Sequence, residues 1–337
     1  MITGNLGSPT WSWLIGGTAL LCLATLTTAD ADKPAGGALA GERPRVIISS
    51  DIGGDDPDDF QSMAHLLIYA DVLDIEGLIA SPPGAGRVAN IREALAAYRR
   101  DYPQLRRASR RYPSPDALDD LAKQGASKSR PAPGYGKPTE GSEWIIRRAK
   151  ARERRPLYVL VWGGMSDVAQ ALHDAPEITK QIRVYSIGSW NTDMDPAARD
   201  YVFRSHPKLW WIEANTTFRG MYIGGRQEGD LGNRAFLSRH VRGHGALGDF
   251  LVAKKADIKM GDTPTLLYLL RGNPDDPTGS HWGGAFIRPD SKRPYWTDDR
   301  RAELREGDKA GAKTVNRWRT DYLRDWQRRM EHLTSGG

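Results

Sequence analysis

The sequence predicts one α/β domain built on an open, mainly parallel, doubly wound sheet. Three observations carry that expectation. Short β-branched runs recur along the chain at residues 46–50, 75–80, 157–162, 182–187 and 209–214. Each is followed by a segment with apolar residues at helical spacing: 59–69, 88–98, 166–173, 196–204 and, after a glycine-rich loop, 234–241. Strands alternating with helices in this way are joined by right-handed crossovers, which put helices on both faces of a parallel sheet. The third observation is the turn directly after the first run, Asp51-Ile-Gly-Gly-Asp-Asp-Pro-Asp-Asp59. It would lie at the carboxyl end of a strand, where the ligands of such sheets collect.

Residues 1–31 contain no Lys or Arg and a single acid, Asp30, with an apolar run from Trp13 to Leu26 and small residues at Ala29 and Ala31. The pattern resembles a secretory signal peptide with an Ala-x-Ala cleavage site, which implies a secreted or periplasmic protein. An uncleaved N-terminal membrane anchor is the alternative, although Gly16 and Gly17 interrupt the run and it is short for a span. Cys22, the only cysteine, lies inside this run. The mature chain would then hold no disulfide and would depend on its core. Residues 32–43 read as a flexible lead-in, 44–290 as the domain and 291–337 as a C-terminal extension. In that extension Val315, Trp318, Tyr322, Trp326 and Met330 are spaced as one face of an amphipathic helix packed on the domain. Residues 101–140, rich in Pro, Gly, Lys and Arg, read as loops over the sheet edge with a helical excursion at 115–124.

The formal charge of +6 is mild. Basic residues gather at 99–111 and 317–329, in the second case interleaved with the apolar face just described. No nucleic-acid-binding motif accompanies them, so nucleic acid is not an expected partner, and neither is a membrane once the leader is removed. The sequence leaves a homo-oligomer open.

Five carboxylates stand within nine residues in the turn after the first strand. In a poorly solvated loop they would repel one another by several kcal/mol unless a cation offset the charge. A hard divalent ion does so economically, and Gly53 and Gly54 permit the tight path that lets oxygen ligands converge. A helix cap alone would need only one or two of these acids.

The turn resembles the N-terminal aspartate signature of nucleoside hydrolases, and in particular the divergent nucleoside-hydrolase-like branch grouped with cellulose-binding proteins. The resemblance runs over about residues 45–286. It implies a nucleoside-hydrolase-like fold and a Ca2+ ion at the acidic cluster. The loop carries an insertion here, so two alignments compete. Asp55 and Asp56 keep the family spacing, whereas Asp58 and Asp59 keep the position against the helix start. The second is favoured, because a helix start is harder to move than a loop length.

Three later segments are similar to the family in the same order. In Trp162-Gly-Gly-Met165-Ser166, the resemblance implies that the carbonyl of Met165 or Ser166 joins the calcium shell. In Ser189-Trp190-Asn191, it implies that Trp190 and Asn191 meet the sugar, while Ser189 replaces an acid. In Lys259-Met-Gly261-Asp262, Asp262 would complete the calcium site. Gly261 stands where the best-known members have a histidine that helps the base depart, so a leaving-group acid is sought in His240, His244 or His281.

The implied activity is calcium-dependent hydrolysis of an N-glycosidic bond in a nucleoside or related riboside. Asp51, Asp59 and Asp262 would be ligands, Asp51 also the general base, and Asp58, Trp190 and Asn191 the substrate contacts. Two alternatives stand beside it. One is another glycoside hydrolase or a polysaccharide-binding protein on the same fold, suggested by the branch and by Ser189 and Gly261. The other is a noncatalytic domain that calcium only stabilises. Cleavage after Ala31 places the N-terminus of exported protein at Asp32, which N-terminal sequencing checks; peptides containing Trp13 in that material would contradict it.

Overall fold

Buried β-branched residues build the centre of the sheet: Val46, Ile47, Ile48, Val159 and Val184 have no exposed surface. The computed structural model describes residues 42–53, 57–84 and 86–334. The leader at 1–31, most of the 32–43 lead-in and the alternative ligands Asp55 and Asp56 lie outside the described residues. The elements follow as β1 (Arg45–Ser50), α1 (Asp58–Ile68), β2 (Asp74–Ala80), α2 (Val88–Ala108), α3 (Pro115–Asp119), β3 (Ala122–Gln124), α4 (Glu140–Ala149) and β4 (Leu157–Val161). Next come α5 (Ser166–Asp174), β5 (Ile182–Ile187), α6 (Trp190–Met194), α7 (Pro196–Ser205), β6 (Trp210–Ala214), α8 (Asn233–His240), α9 (Gly245–Lys254) and α10 (Thr263–Leu270). The chain closes with β7 (Phe286–Ile287), β8 (Tyr295–Asp298), α11 (Lys313–Asn316) and α12 (Arg319–Thr334).

These strands form one sheet in the order β3-β2-β1-β4-β5-β6-β8-β7. All neighbours are parallel except β7 with β8. The alternation of side chains along β1 feeds two apolar layers. Val46 and Ile48 join Met63, Leu67 and Tyr98 on one face, and Ile47 joins Val159, Val168 and Leu172 on the other. This is a single α/β domain with helices on both faces of a mostly parallel sheet, as the alternation predicts. Among the described residues no helix is long and apolar enough to cross a membrane.

Three local expectations need correction. The helical excursion expected over 115–124 stops at Asp119, and residues 122–124 extend the sheet as its edge strand instead. Pairing with Leu78, Ile79 and Ala80 decides this, and no local pattern reports it. The helix expected over 88–98 runs on to Ala108 through Pro103. Its continuation is held by tertiary contacts: buried Asp101 accepts hydrogen bonds from the amides of Ala246 and Leu247, both at 2.7 Å, and so caps α9. The sheet also continues past residue 290, because β8 inserts between β6 and β7.

Beyond β8, the apolar face expected in the extension is buried: Val315, Tyr322, Trp326 and Met330 are at most 1 % exposed. Much of the neighbouring basic charge is paired, as in Arg99 with Asp116 at 2.6 Å and Arg329 with Asp71 at 2.7 Å. Arg319 opens α12 with no exposed surface. It donates to the carbonyls of Met221 (3.0 Å) and Leu231 (2.8 Å) and to Asn233 Oδ1 (2.7 Å). One guanidinium thus ties α12 to the long segment between β6 and α8. Arg319→Leu leaves those acceptors buried without donors and should cost roughly 2–4 kcal/mol, read as a lower urea midpoint with unchanged slope.

Candidate functional site

The carboxyl ends of β1, β2, β4 and β5 open into a cavity of about 640 Å3. Asp51 and Gly53 line it after β1, Trp162 after β4, and Ser189, Trp190 and Asn191 after β5. The segment after β6 adds Phe218, Arg219 and Tyr222, and the approach to α10 adds Lys259 and Asp262.

Asp58 and Asp59 open α1, and Asp262 stands at the N-cap position of α10. One carboxylate oxygen from each lies within 4.8 Å of the other two. A web of side chains holds them there. The buried Ser50 hydroxyl donates to the Asp59 carboxylate and accepts from the Ile52 amide at 3.1 Å. Gln61, in the first turn of α1, donates to the carbonyls of Lys255 (2.8 Å) and Asp257 (3.1 Å) and accepts from the Lys259 amide (3.0 Å). The Thr263 hydroxyl meets that of Ser62 at 3.2 Å. Thr265 Oγ1 donates to the Asp262 carbonyl and accepts from the Trp162 indole, each at 2.8 Å. The helix that presents two acids therefore pins the loop that presents the third.

Two glycines make room for this arrangement. A Cβ at Gly163 would stand 2.6 Å from the Pro82 carbonyl oxygen and 2.9 Å from Asp51 Cβ. A Cβ at Gly261 would stand 3.0 Å from Asp58 Oδ2 and 3.3 Å from the Phe218 ring. A side chain at position 261 would therefore press on Asp58 and Phe218, which would have to give by a few tenths of an ångström.

The residues present fit a hard divalent cation. The converging donors are all carboxylate oxygens, two of the three acids are buried, and their repulsion is of order 3 kcal/mol per pair at an effective dielectric near 20. Asp51, 8 % exposed, lines the cavity beside this trio but is not one of its three members. Asp58, expected on the sugar, stands in the trio.

The β5 turn is strained. Ser189 has φ 59° and ψ −120°, which costs a non-glycine residue roughly 1–3 kcal/mol, and its amide donates to Asn215 Oδ1 at 3.0 Å. Asn191 Nδ2 donates to the carbonyls of Trp162 (2.6 Å) and Ile187 (3.2 Å). Its amide nitrogen is thus engaged with the scaffold. Trp190 is 54 % exposed. Burial pushes the Tyr222 phenol up in pKa, against the pull of Arg219 and Lys259.

Several expected residues lie elsewhere. Met165 and Ser166 do not line the cavity; the Met165 carbonyl accepts from the Ala169 amide at 2.8 Å, and the Ser166 hydroxyl donates to Asp195 at 2.8 Å. Trp162 lines it instead, because the strand end, not the helix start, faces the opening. The three histidines are also absent from the lining. His240 pairs with Asp230 at 2.7 Å, and His244 Nδ1 lies 3.1 Å from the Arg242 carbonyl oxygen. His281 is buried against Tyr268, with ring nitrogens 3.0 Å and 2.8 Å from the carbonyls of Gly279 and Asn273. No sequence motif marks Phe218, Arg219 and Tyr222, although they follow the end of β6, where the strand-end rule points.

Fold and site together define a protein of the nucleoside-hydrolase-like class, to which a glycosyl-hydrolase-type or related function belongs. The chain belongs to the family described as cellulose-binding Sde182, nucleoside hydrolase-like domain, whose family model matches residues 45–286. It is similar to a solved nucleoside hydrolase-related protein from Saccharophagus degradans that is associated with carbohydrate metabolism. The two share 25 % identity over 88 % of this chain and 73 % of that one, with a TM-score of 0.70. Against the inosine-uridine preferring nucleoside hydrolase of Bacillus anthracis the values are 17 %, 84 %, 99 % and 0.50. Against the type III effector protein XopQ, solved in complex with adenosine diphosphate ribose, they are 12 %, 87 %, 96 % and 0.55. No curated protein sequence matches the chain.

A cation bound by the trio stabilises the fold by linkage, by about 2.7 kcal/mol at 100 times its dissociation constant. Calcium should therefore raise the melting temperature by several degrees and magnesium by less, chelator should reverse it, and Asp59→Asn should abolish the response. A melting curve indifferent to both ions would remove the metal site.

Proposed function

We propose that this protein is a calcium-dependent hydrolase of N-glycosidic bonds, acting on a nucleoside or related riboside outside the cytoplasm. The observation that supports it most is the convergence of Asp58, Asp59 and Asp262 beside Asp51 in one strand-end cavity. The trio would hold the ion, which supplies a lowered pKa to water bound there. Asp51 takes the proton of the attacking water as general base. The carboxylates face the positive charge that develops at the anomeric carbon, and the Asn191 oxygen accepts from a sugar hydroxyl. Exposed Trp190 stacks on a ring of the substrate. Tyr222 and Lys259 line the wall where the sequence led one to expect a histidine.

The test is a hydrolysis screen of inosine, uridine and nitrophenyl riboside on the mature domain, with and without calcium. Activated nitrophenyl riboside should be cleaved best, since no histidine stands ready for a poor leaving group. Asp51→Asn should lower kcat by at least about 100-fold with the calcium response of the melting temperature intact. Single replacements of His240 and His244 by Gln should leave the rate within about twofold. No hydrolysis of any riboside by calcium-loaded protein would overturn the reading.

Polysaccharide binding is the second reading, supported by the family's description and by Trp190 and Met194, 54 % and 46 % exposed on α6. Retention on insoluble cellulose that is lost in Trp190→Ala separates it from the first.

A further inference from the structure

Arg219 lines the cavity without a carboxylate partner among the described residues. Its hydrogen bonds there go to two hydroxyls: Nη1 to Tyr222 at 3.0 Å and Nη2 to Ser189 at 3.5 Å. Its Nε is buried and makes no hydrogen bond. The guanidinium stacks on the Phe218 ring at 5.0 Å, which fixes its plane. Asp308 feels its charge, but that carboxylate pairs with Lys309 at 2.6 Å. A half-buried guanidinium held by aromatic and hydroxyl groups is a site poised for a planar or tetrahedral anion, which Arg binds through two parallel N–H groups.

Ser189 belongs to the same argument. The one described non-glycine residue with positive φ brings its hydroxyl against Arg219, at the position where the family resemblance leads one to expect an acid. An acid there would pair with the guanidinium and close the subsite. Serine leaves the charge of Arg219 for the ligand and adds a hydroxyl that can itself donate.

We infer that the glycone bound in this cavity carries an anionic substituent, a phosphate or a carboxylate, held by Arg219 with the hydroxyls of Tyr222 and Ser189. The inference rests on the proposed function only in placing a sugar in this cavity. Titration calorimetry on the calcium-loaded full chain tests it without turnover, comparing ribose 5-phosphate with ribose, and glucuronate with glucose. At least one anionic sugar should bind about tenfold or more tightly than its neutral counterpart. Preference for ribose 5-phosphate, with competition by inorganic phosphate, identifies the phosphate arm; preference for glucuronate alone identifies the carboxylate arm.

In Arg219→Gln the ratio of anionic to neutral affinity should fall towards one, while the calcium response of the melting temperature shows that the variant is folded. Equal affinity for charged and neutral sugars, no binding of either, or a ratio that survives Arg219→Gln would overturn the inference. An Arg219-dependent preference without hydrolysis of any riboside would sink the hydrolase reading and leave this one standing. Hydrolysis of neutral ribosides with no preference for charged ones would do the opposite.

Discussion

The structure depends on holding three carboxylates within a few ångströms of one another. Asp58, Asp59 and Asp262 come from chain segments some 200 residues apart, and nothing in their own chemistry draws them together. Neutral groups oppose the repulsion: Ser50 on Asp59, Gln61 on three backbone groups of the 255–259 loop, Thr263 on Ser62, and Thr265 between Asp262 and Trp162. These bonds are buried or nearly so, where an unsatisfied partner is costly, so the acids cannot spread apart without breaking several at once.

The same logic extends outward. The cavity wall after β6 is held from behind by α12, since buried Arg319 binds the carbonyls of Met221 and Leu231. Asp298 in β8 accepts from the amides of Thr216 (2.9 Å) and Thr217 (3.1 Å), just before Phe218 and Arg219. The last forty residues therefore build part of the site, through the backbone of the segment that carries its cationic and aromatic wall. Ser189, whose positive φ is one that side chains seldom adopt, places its hydroxyl 3.5 Å from Arg219 Nη2.

Much of this was legible in the chain itself. Short apolar runs and helical spacing located the five central strands and their helices, since a strand buried on both faces must be apolar along its length and an amphipathic helix must show its face every third or fourth residue. The acidic turn stood out because so many carboxylates in so few residues need a cation or open solvent. The short edge strands β3 and β7, and β8 beside β7, carried too few residues to show a period. The continuation of α2 through Pro103 was hidden by composition, because the Asp101 cap that supports it is made with residues 145 positions away.

Sequence alone determined the class of fold and marked the acidic turn after β1, because each is a local pattern imposed on neighbouring residues. Tertiary structure decided which residues share the cavity. It removed Met165, Ser166 and the three histidines from the lining and brought in Trp162, Phe218, Arg219, Tyr222 and Lys259. Contacts between segments far apart in the chain leave no periodic trace in either segment, so only the folded packing can reveal which charge meets which.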